Sequence, residues 1–394
     1  MTNLKKITLG ILFALVVLVG IVLVWAFLSY PAEYLVRSVA WGDSDVYDYQ
    51  KFPARPMAAS SSPFYFKEEP AEAMVQALFE QNQAIDDLDD FLEGTQTQAF
   101  IVIQNDTILY EKYFNDATRD TIVTSFSCAK QWDSALIGAA IDDGYIESVD
   151  DPITDYLPEL AERDPAFSYI TIYDLLRMSS GIEYDGEGGL NGDNSKTYYW
   201  PDLRKLALEE TTVIASPGSG FLYNNYHPLL LGMILERATG MSVTTYLEAR
   251  IWQPIGMEFD GSWSLDSEAT GFEKMESGIN GRAIDFAKFG RLYLNNGNWD
   301  GIRVLPADWI VESTSPEPDS VGYHPYFKYM WESRPRGESD YDYYSAGHHG
   351  QFIYISPHKN LIIVRNGEAE GDFGQYWPDI FYQIASDIEP GVDQ

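Results

Sequence analysis

A serine, two intervening residues and a lysine stand at Ser127-Cys128-Ala129-Lys130, where the apolar spacing predicts the start of a helix over residues 127–143. Three positions apart on a helix, the two side chains share a face and come within reach of each other. A serine hydroxyl is a poor nucleophile until a base takes its proton, and a lysine can be that base where its site keeps the amine uncharged. The first N–H groups of the helix would lie beside the same hydroxyl, where a developing oxyanion is stabilised. The pair is not specific alone. Ser356-Pro357-His358-Lys359 has the same pattern in a predicted strand turn, and Ser127 would serve equally well as an ordinary helix cap.

Further along come Tyr223-Asn224-Asn225 and, near the C-terminus, His348-His349-Gly350, which opens onto a predicted strand. Read singly, Tyr223 is one more core aromatic beside Phe221 and Tyr226, and the asparagines are a turn. The adjacent histidines suggest zinc, but such a site needs three or four convergent ligands and only His227, His324 and His358 remain to supply imidazole. No metal or other cofactor is expected. Cys128, the only cysteine, reads as a small buried helix residue and leaves no intrachain disulfide.

In their order, these elements resemble the Ser-x-x-Lys, Tyr-x-Asn and Lys/His-x-Gly motifs of serine β-lactamases, penicillin-binding proteins and related esterases and amidases. The likeness extends to Ser125-Phe126 before the nucleophile, Ala139 to Tyr145, Asp150-Asp151-Pro152-Ile153, Leu175 to Gly181 and Gly290 to Leu294. Over roughly residues 72–388 the chain resembles the class C β-lactamase-like hydrolases, especially their 6-aminohexanoate-dimer-hydrolase branch. The resemblance implies an acyl-enzyme on Ser127, with Lys130 taking its proton and the Tyr223 phenol relaying a proton to the leaving group or activating water. It also implies that Asn225 hydrogen-bonds Lys130 or the substrate amide, and that the oxyanion hole is the backbone N–H of Ser127 and of Gln351, the residue after Gly350. His348 falls where the family has lysine or histidine. Since side chains alternate along a strand, His348 would face the site and His349 would not. Histidine at this position departs from true β-lactamases and argues against efficient β-lactam hydrolysis. The expected substrate is a small molecule or short oligomer with an amide or ester bond. The rival expectation is a membrane-anchored penicillin-binding or sensor protein with little turnover.

The elements that would carry these residues form an α/β (α+β) arrangement, an antiparallel sheet flanked by helices plus a mostly helical subdomain. Residues 71–92 read as one helix. Phe100-Ile101-Val102-Ile103 and Ile108-Leu109-Tyr110 flank the turn pair Asn105-Asp106, and Phe352 to Ile355 pairs with Leu361 to Val364 in a second hairpin. Helical spacing recurs at 171–178, 202–210, 226–239 and 281–295, with a last helix at about 379–388. The aromatic loop from Glu187 to Trp200, with Tyr198 and Tyr199, is placed to line a pocket.

The N-terminus sets the compartment. Ile7 to Leu28 contains no charge and at about 1.5 Å per residue would span roughly 33 Å, enough for a bilayer core. Lys5 and Lys6 precede it while Glu33, Asp43 and Asp45 outweigh Arg37 after it, which puts the N-terminus inside. The expected order is a cytoplasmic tail (1–6), a transmembrane anchor (7–29), a Pro-rich stalk or wrapping segment (30–70) and a serine hydrolase domain (71–390) on the periplasmic or extracellular side. With 60 acidic against 26 basic residues and a formal charge of −34, nucleic acid and anionic membrane surfaces are excluded as electrostatic partners.

Overall fold

In the computed structural model the described residues are 2–389 apart from 84, 319 and 373, so the expected beginning of the tail at Met1 and the domain end at residue 390 lie outside them. Helix α1 (Thr2–Ser29) contains Ile7–Ser29, 23 residues of mean hydropathy 3.2, long and apolar enough to cross a membrane. Pro31 then opens α2 (Ala32–Ala40) inside the stretch expected to be irregular. Between Pro31 and Gly42 no residue breaks a helix, and Tyr34, Leu35 and Arg37 fall on one buried face. Strands β1 (Ala54–Met57) and β2 (Lys67–Glu68) continue the wrapping, and each joins a sheet.

The single helix expected over 71–92 is two, α3 (Glu72–Gln83) and α4 (Leu88–Gly94). The acids at the break start a new helix, since Asp87 accepts from the Asp90 N–H at 3.1 Å as an N-cap. Strands β3 (Thr97–Gln104) and β4 (Thr107–Tyr113) form a hairpin through Asn105-Asp106. Both turn residues have left-handed backbone, φ 52° and 57°, which Asn and Asp tolerate best after glycine.

After β5 (Val123–Thr124) the chain enters α5 (Ala129–Asp142), whose residues are buried almost throughout. The helical region that follows includes α6 (Asp193–Tyr199) and α7 (Tyr226–Thr239), which is stopped by Gly240 at φ +70°. Strands β6 (Gly261–Ser264) and β7 (Ile279–Gly281) precede α8 (Ala283–Leu294). The C-terminal part supplies β8 (Phe327–Lys328), β9 (Trp331–Pro335), β10 (Tyr341–Gly347), β11 (Gln351–Ser356), β12 (Leu361–Gly367) and α9 (Trp377–Asp387).

The main sheet runs β8-β9-β10-β11-β12-β3-β4-β2, antiparallel except where β2 meets β4, and a smaller one runs β1-β6-β7-β5. The expected antiparallel sheet is therefore assembled from both ends of the chain. Period-two alternation buries both of its faces. Ile101 and Ile103 of β3 point into the core shared with α5, α7 and α8, whereas Phe100 and Val102 pack under Phe79, Trp377 and Phe381. On the α8 side Gly290 lets the helix settle on the sheet, since a Cβ there would lie 3.0 Å from Ile362. The second Ser-x-x-Lys is structural: Ser356 Oγ donates to Asp342 Oδ1 (2.7 Å) and Lys359 Nζ to the Ile388 carbonyl (2.6 Å).

Candidate active site

Ser127 sits between β5 and α5 on a tight turn, Phe126–Cys128, rather than in the helix proper. Phe126 holds φ +43°, a strained conformation for a bulky residue, and so presents the next side chain outward. The turn is fixed from two directions. Ser125 N–H donates to Ile279 O (2.8 Å) and its hydroxyl to Ser277 O (2.8 Å), tying it to β7. On the other side β10 approaches through Gly347, where a Cβ would lie 2.5 Å from Ser125 O, so any larger residue would push the strand away. The Cys128 thiol donates to Gln351 O at 3.4 Å, and burial raises its pKa to about 12, which makes it an inert packing group.

Lys130 is 1% exposed, and its Nζ donates to Ser127 Oγ and to Glu276 O, each at 2.9 Å. The amine also lies 5.0 Å from the centroid of the Tyr223 ring. Tyr223, 40% exposed, packs edge-on to Phe327. One turn along α5, burial holds the Asp133 carboxyl well above the usual carboxylate range and favours its uncharged form.

Asn225 does not bond Lys130 in this structure. Its Nδ2 donates to Tyr184 OH (2.9 Å), which itself donates to Asn194 Oδ1 (2.6 Å); this network fixes the amide orientation and leaves Asn225 Oδ1 without a partner among the described residues. His348 and His349 lie in the three-residue turn joining β10 to β11, so turn geometry rather than strand alternation separates them. His348 lines the cleft, and burial, with His349 second, lowers its pKa, favouring neutral imidazole. His349, at φ +62°, instead meets Ser44 O through Nε2 (2.8 Å). At Gly350 a Cβ would meet Arg365 Nη1 at 1.9 Å, because that guanidinium donates to Gly350 O. The Gln351 side chain is taken up by Gly367 O (2.7 Å) and by Asn366 Nδ2 (2.9 Å).

These elements surround a cleft of about 460 Å³ lined by Ser127, Tyr223, Asn225 and His348. Tyr198 and Tyr199 of the aromatic loop line it too, while Trp200 packs 4.9 Å from Tyr34. Four lining residues escaped the motifs: Asp43, Ser44, Glu276 and Ser277. The first two lie in the wrapping segment, and Glu276 and Ser277 precede β7 in a loop without periodicity, so no sequence signal marked them. No group of three His, Cys, Asp or Glu side chains among the described residues could hold a metal ion.

A family model described as beta-lactamase matches residues 83–375. A 6-aminohexanoate-dimer hydrolase of Paenarthrobacter ureafaciens is 26% identical over 82% of this chain and 86% of its own. The esterase EstB of Burkholderia gladioli is 32% identical over 31% of this chain and 33% of its own. Among solved structures, a Bacillus anthracis protein assigned as a 6-aminohexanoate-dimer hydrolase superposes with a TM-score of 0.73 at 23% identity, covering 91% of this chain and 94% of that one. A class C beta-lactamase does so with a TM-score of 0.59 at 16% identity, covering 81% and 97%.

Proposed function

The chain belongs to the beta-lactamase family and is a serine hydrolase of the amidase and esterase kind, and we propose that Ser127 is its nucleophile and Lys130 the base. One observation carries the assignment: the buried Lys130 amine lies 2.9 Å from Ser127 Oγ and is held by a backbone carbonyl rather than by a carboxylate. Lys130 takes the hydroxyl proton as Oγ attacks the substrate carbonyl. The N–H groups of Ser127 and Gln351 stabilise the tetrahedral oxyanion. The Tyr223 phenol, whose ring centroid lies 5.0 Å from that amine, passes the proton to the departing nitrogen or oxygen. Water then attacks the acyl-enzyme by the reverse relay. Asn225 Oδ1 accepts the N–H of the bound amide.

Helix α1 acts as a single-pass anchor in this reading, with Lys5 and Lys6 inside and the hydrolase on the periplasmic or extracellular side. The test is turnover of p-nitrophenyl butyrate by the full chain in detergent. Ser127→Ala should lower kcat at least about ten-thousandfold while leaving the thermal unfolding curve unchanged. A variant that keeps the parent rate refutes the assignment, and a wild type that acylates once without release makes it a binding protein instead.

A further inference from the structure

The rim of the cleft is fastened to the exit of the anchor. Tyr199 lines the cleft, and the next residue, Trp200, packs against Tyr34 of α2 (4.9 Å between ring centroids) and against Tyr30, the first residue after α1 (6.4 Å). Tyr30 in turn meets Trp25 of α1 edge-on at 5.8 Å. Its hydroxyl donates to Asn191 Oδ1, and the Tyr34 hydroxyl donates to the Leu190 carbonyl (2.9 Å). Four rings thus run in contact from near the end of α1 to the wall of the cleft. Tryptophan and tyrosine, apolar in body and polar at the tip, are the side chains that settle at a bilayer surface. A free stalk would let the domain swing, but here the segment after α1 is packed onto the domain from Tyr30 onward, which holds the cleft beside the leaflet that α1 leaves.

Helix α2 has two unlike faces. Tyr34, Leu35 and Arg37 are buried, and Arg37 donates to Tyr199 O (3.2 Å) and Asp266 O (2.6 Å). Val36 (59% exposed) and Val39 (75%) stand on the opposite face with Ala32 and Ala40, at the i, i+4, i+7 and i+8 spacing of one helical stripe. The acid on this face, Glu33, is ion-paired with Arg37. The chain itself supplies the occupant. Leu28, 83% exposed on α1, stands four residues before Ala32, so the stripe continues the lipid-facing surface of the span across Pro31. An apolar face along a helix of about 14 Å, starting three residues after a membrane span, is suited to lie in the plane of the interface. With a chain charge of −34, apolar burial rather than charge would hold it there.

We propose that α2 lies on the outer leaflet with Val36 and Val39 in the lipid, and that the cleft so held takes its substrates from the membrane surface, namely amides or esters with an apolar tail that partitions into the bilayer. This rests on reading α1 as an anchor and Ser127 as the nucleophile. The experiment uses the full chain inserted into preformed phosphatidylcholine vesicles. A nitroxide on Val39→Cys, with Cys128 buried and unlabelled, should be more accessible to oxygen than to a water-soluble nickel chelate. Greater access for the chelate overturns the proposal, and spin–spin broadening gives the face to a second copy and overturns it too. Both valines are exposed, so Val36→Glu with Val39→Glu should fold as the wild type does. In that variant the ratio of kcat/KM for p-nitrophenyl palmitate in the vesicles to that for p-nitrophenyl butyrate should fall about tenfold, with the butyrate rate unchanged. An unchanged ratio, or no palmitate turnover by the wild type, overturns the proposal. The underlying readings fail differently. A chain that does not float with the vesicles refutes the anchor and the proposal with it, whereas Ser127→Ala hydrolysing butyrate at the parent rate refutes the nucleophile and leaves the nitroxide result to decide the placement of α2.

Discussion

The two walls of the cleft are built differently. The nucleophile wall brings together the turn at Ser127, the loop before β7 and the β10–β11 turn, and its polar groups are buried and bonded to backbone: Ser125 to Ser277 and Ile279, Lys130 to Glu276, Arg365 to Gly350. The opposite rim is aromatic side chains packed edge-on against aromatic side chains. Phe52 packs 5.7 Å from Tyr198, Trp41 lies 6.2 Å from Tyr199, and the phenols of Tyr198 and Tyr199 reach Asp48 and Gly42 of the wrapping segment. The first wall fixes reacting atoms, which must sit within fractions of an ångström to react. The second shapes the opening, and small displacements there alter binding more than chemistry. The wrapping segment is thus part of the pocket, and it links α1 to the rim.

Breaking the nucleophile wall should have the largest effects. Lys130→Met keeps the stem but removes the base and should cost about a hundred- to ten-thousandfold in kcat, measured on p-nitrophenyl butyrate with a melt to show that the fold persists. Gly347→Ala touches no reacting group, yet its methyl would meet Ser125 O and move β10 off the nucleophile turn. A loss on the order of a hundredfold in kcat is expected, and a KM effect alone would show that the turn does not depend on this approach.

The rim should answer otherwise. Arg37 is buried, donates to Tyr199 O (3.2 Å) and Asp266 O (2.6 Å), and lies against the rings of Trp41 and Phe52. Arg37→Met should raise KM about fivefold, as for one lost hydrogen bond, with kcat little changed. An equal fall in kcat would erase the distinction between the walls.

The smallest effect on activity belongs to the core beneath the cleft. His227, on the helix that follows Tyr223 and Asn225, is fully buried against Ser180 Oγ (2.6 Å), and burial pushes its pKa down to about 3 from 6.5. The unfolded chain therefore binds a proton below pH 6.5 that the folded chain refuses, so stability is present above that pH and is lost as pH falls toward 3. At pH 5 this amounts to about 2 kcal/mol relative to pH 7.5, and urea titrations of His227→Gln should show a pH dependence smaller by that amount.

The nucleophile wall was legible in the sequence and the rim was not, for a physical reason. Catalysis restricts residue type and spacing, so Ser127, Lys130, Tyr223 and His348 stand out in order, and the structure brings them to one cleft or its floor. Aromatic packing restricts only shape. Nothing in Pro31 to Phe52 distinguishes a free stalk from a segment laid on α6, and α2 went unread among prolines. Strands β9 and β10 were missed for a similar reason: Trp331, Tyr343 and Tyr344 are buried there, but in β10 Asp342 and Ser345 are buried beside them, so no period-two alternation marks the strand. Asn225 shows the limit of a motif, which named the residue but not its hydrogen bond to Tyr184.

The most direct test of the nucleophile assignment is to trap the intermediate. Full-length protein mixed with p-nitrophenyl butyrate, quenched in acid within the first turnover and digested, should carry one butyryl group on the peptide containing Ser127, and none in Ser127→Ala. Steady turnover with that peptide unmodified, or with the acyl group on another residue, would contradict the account.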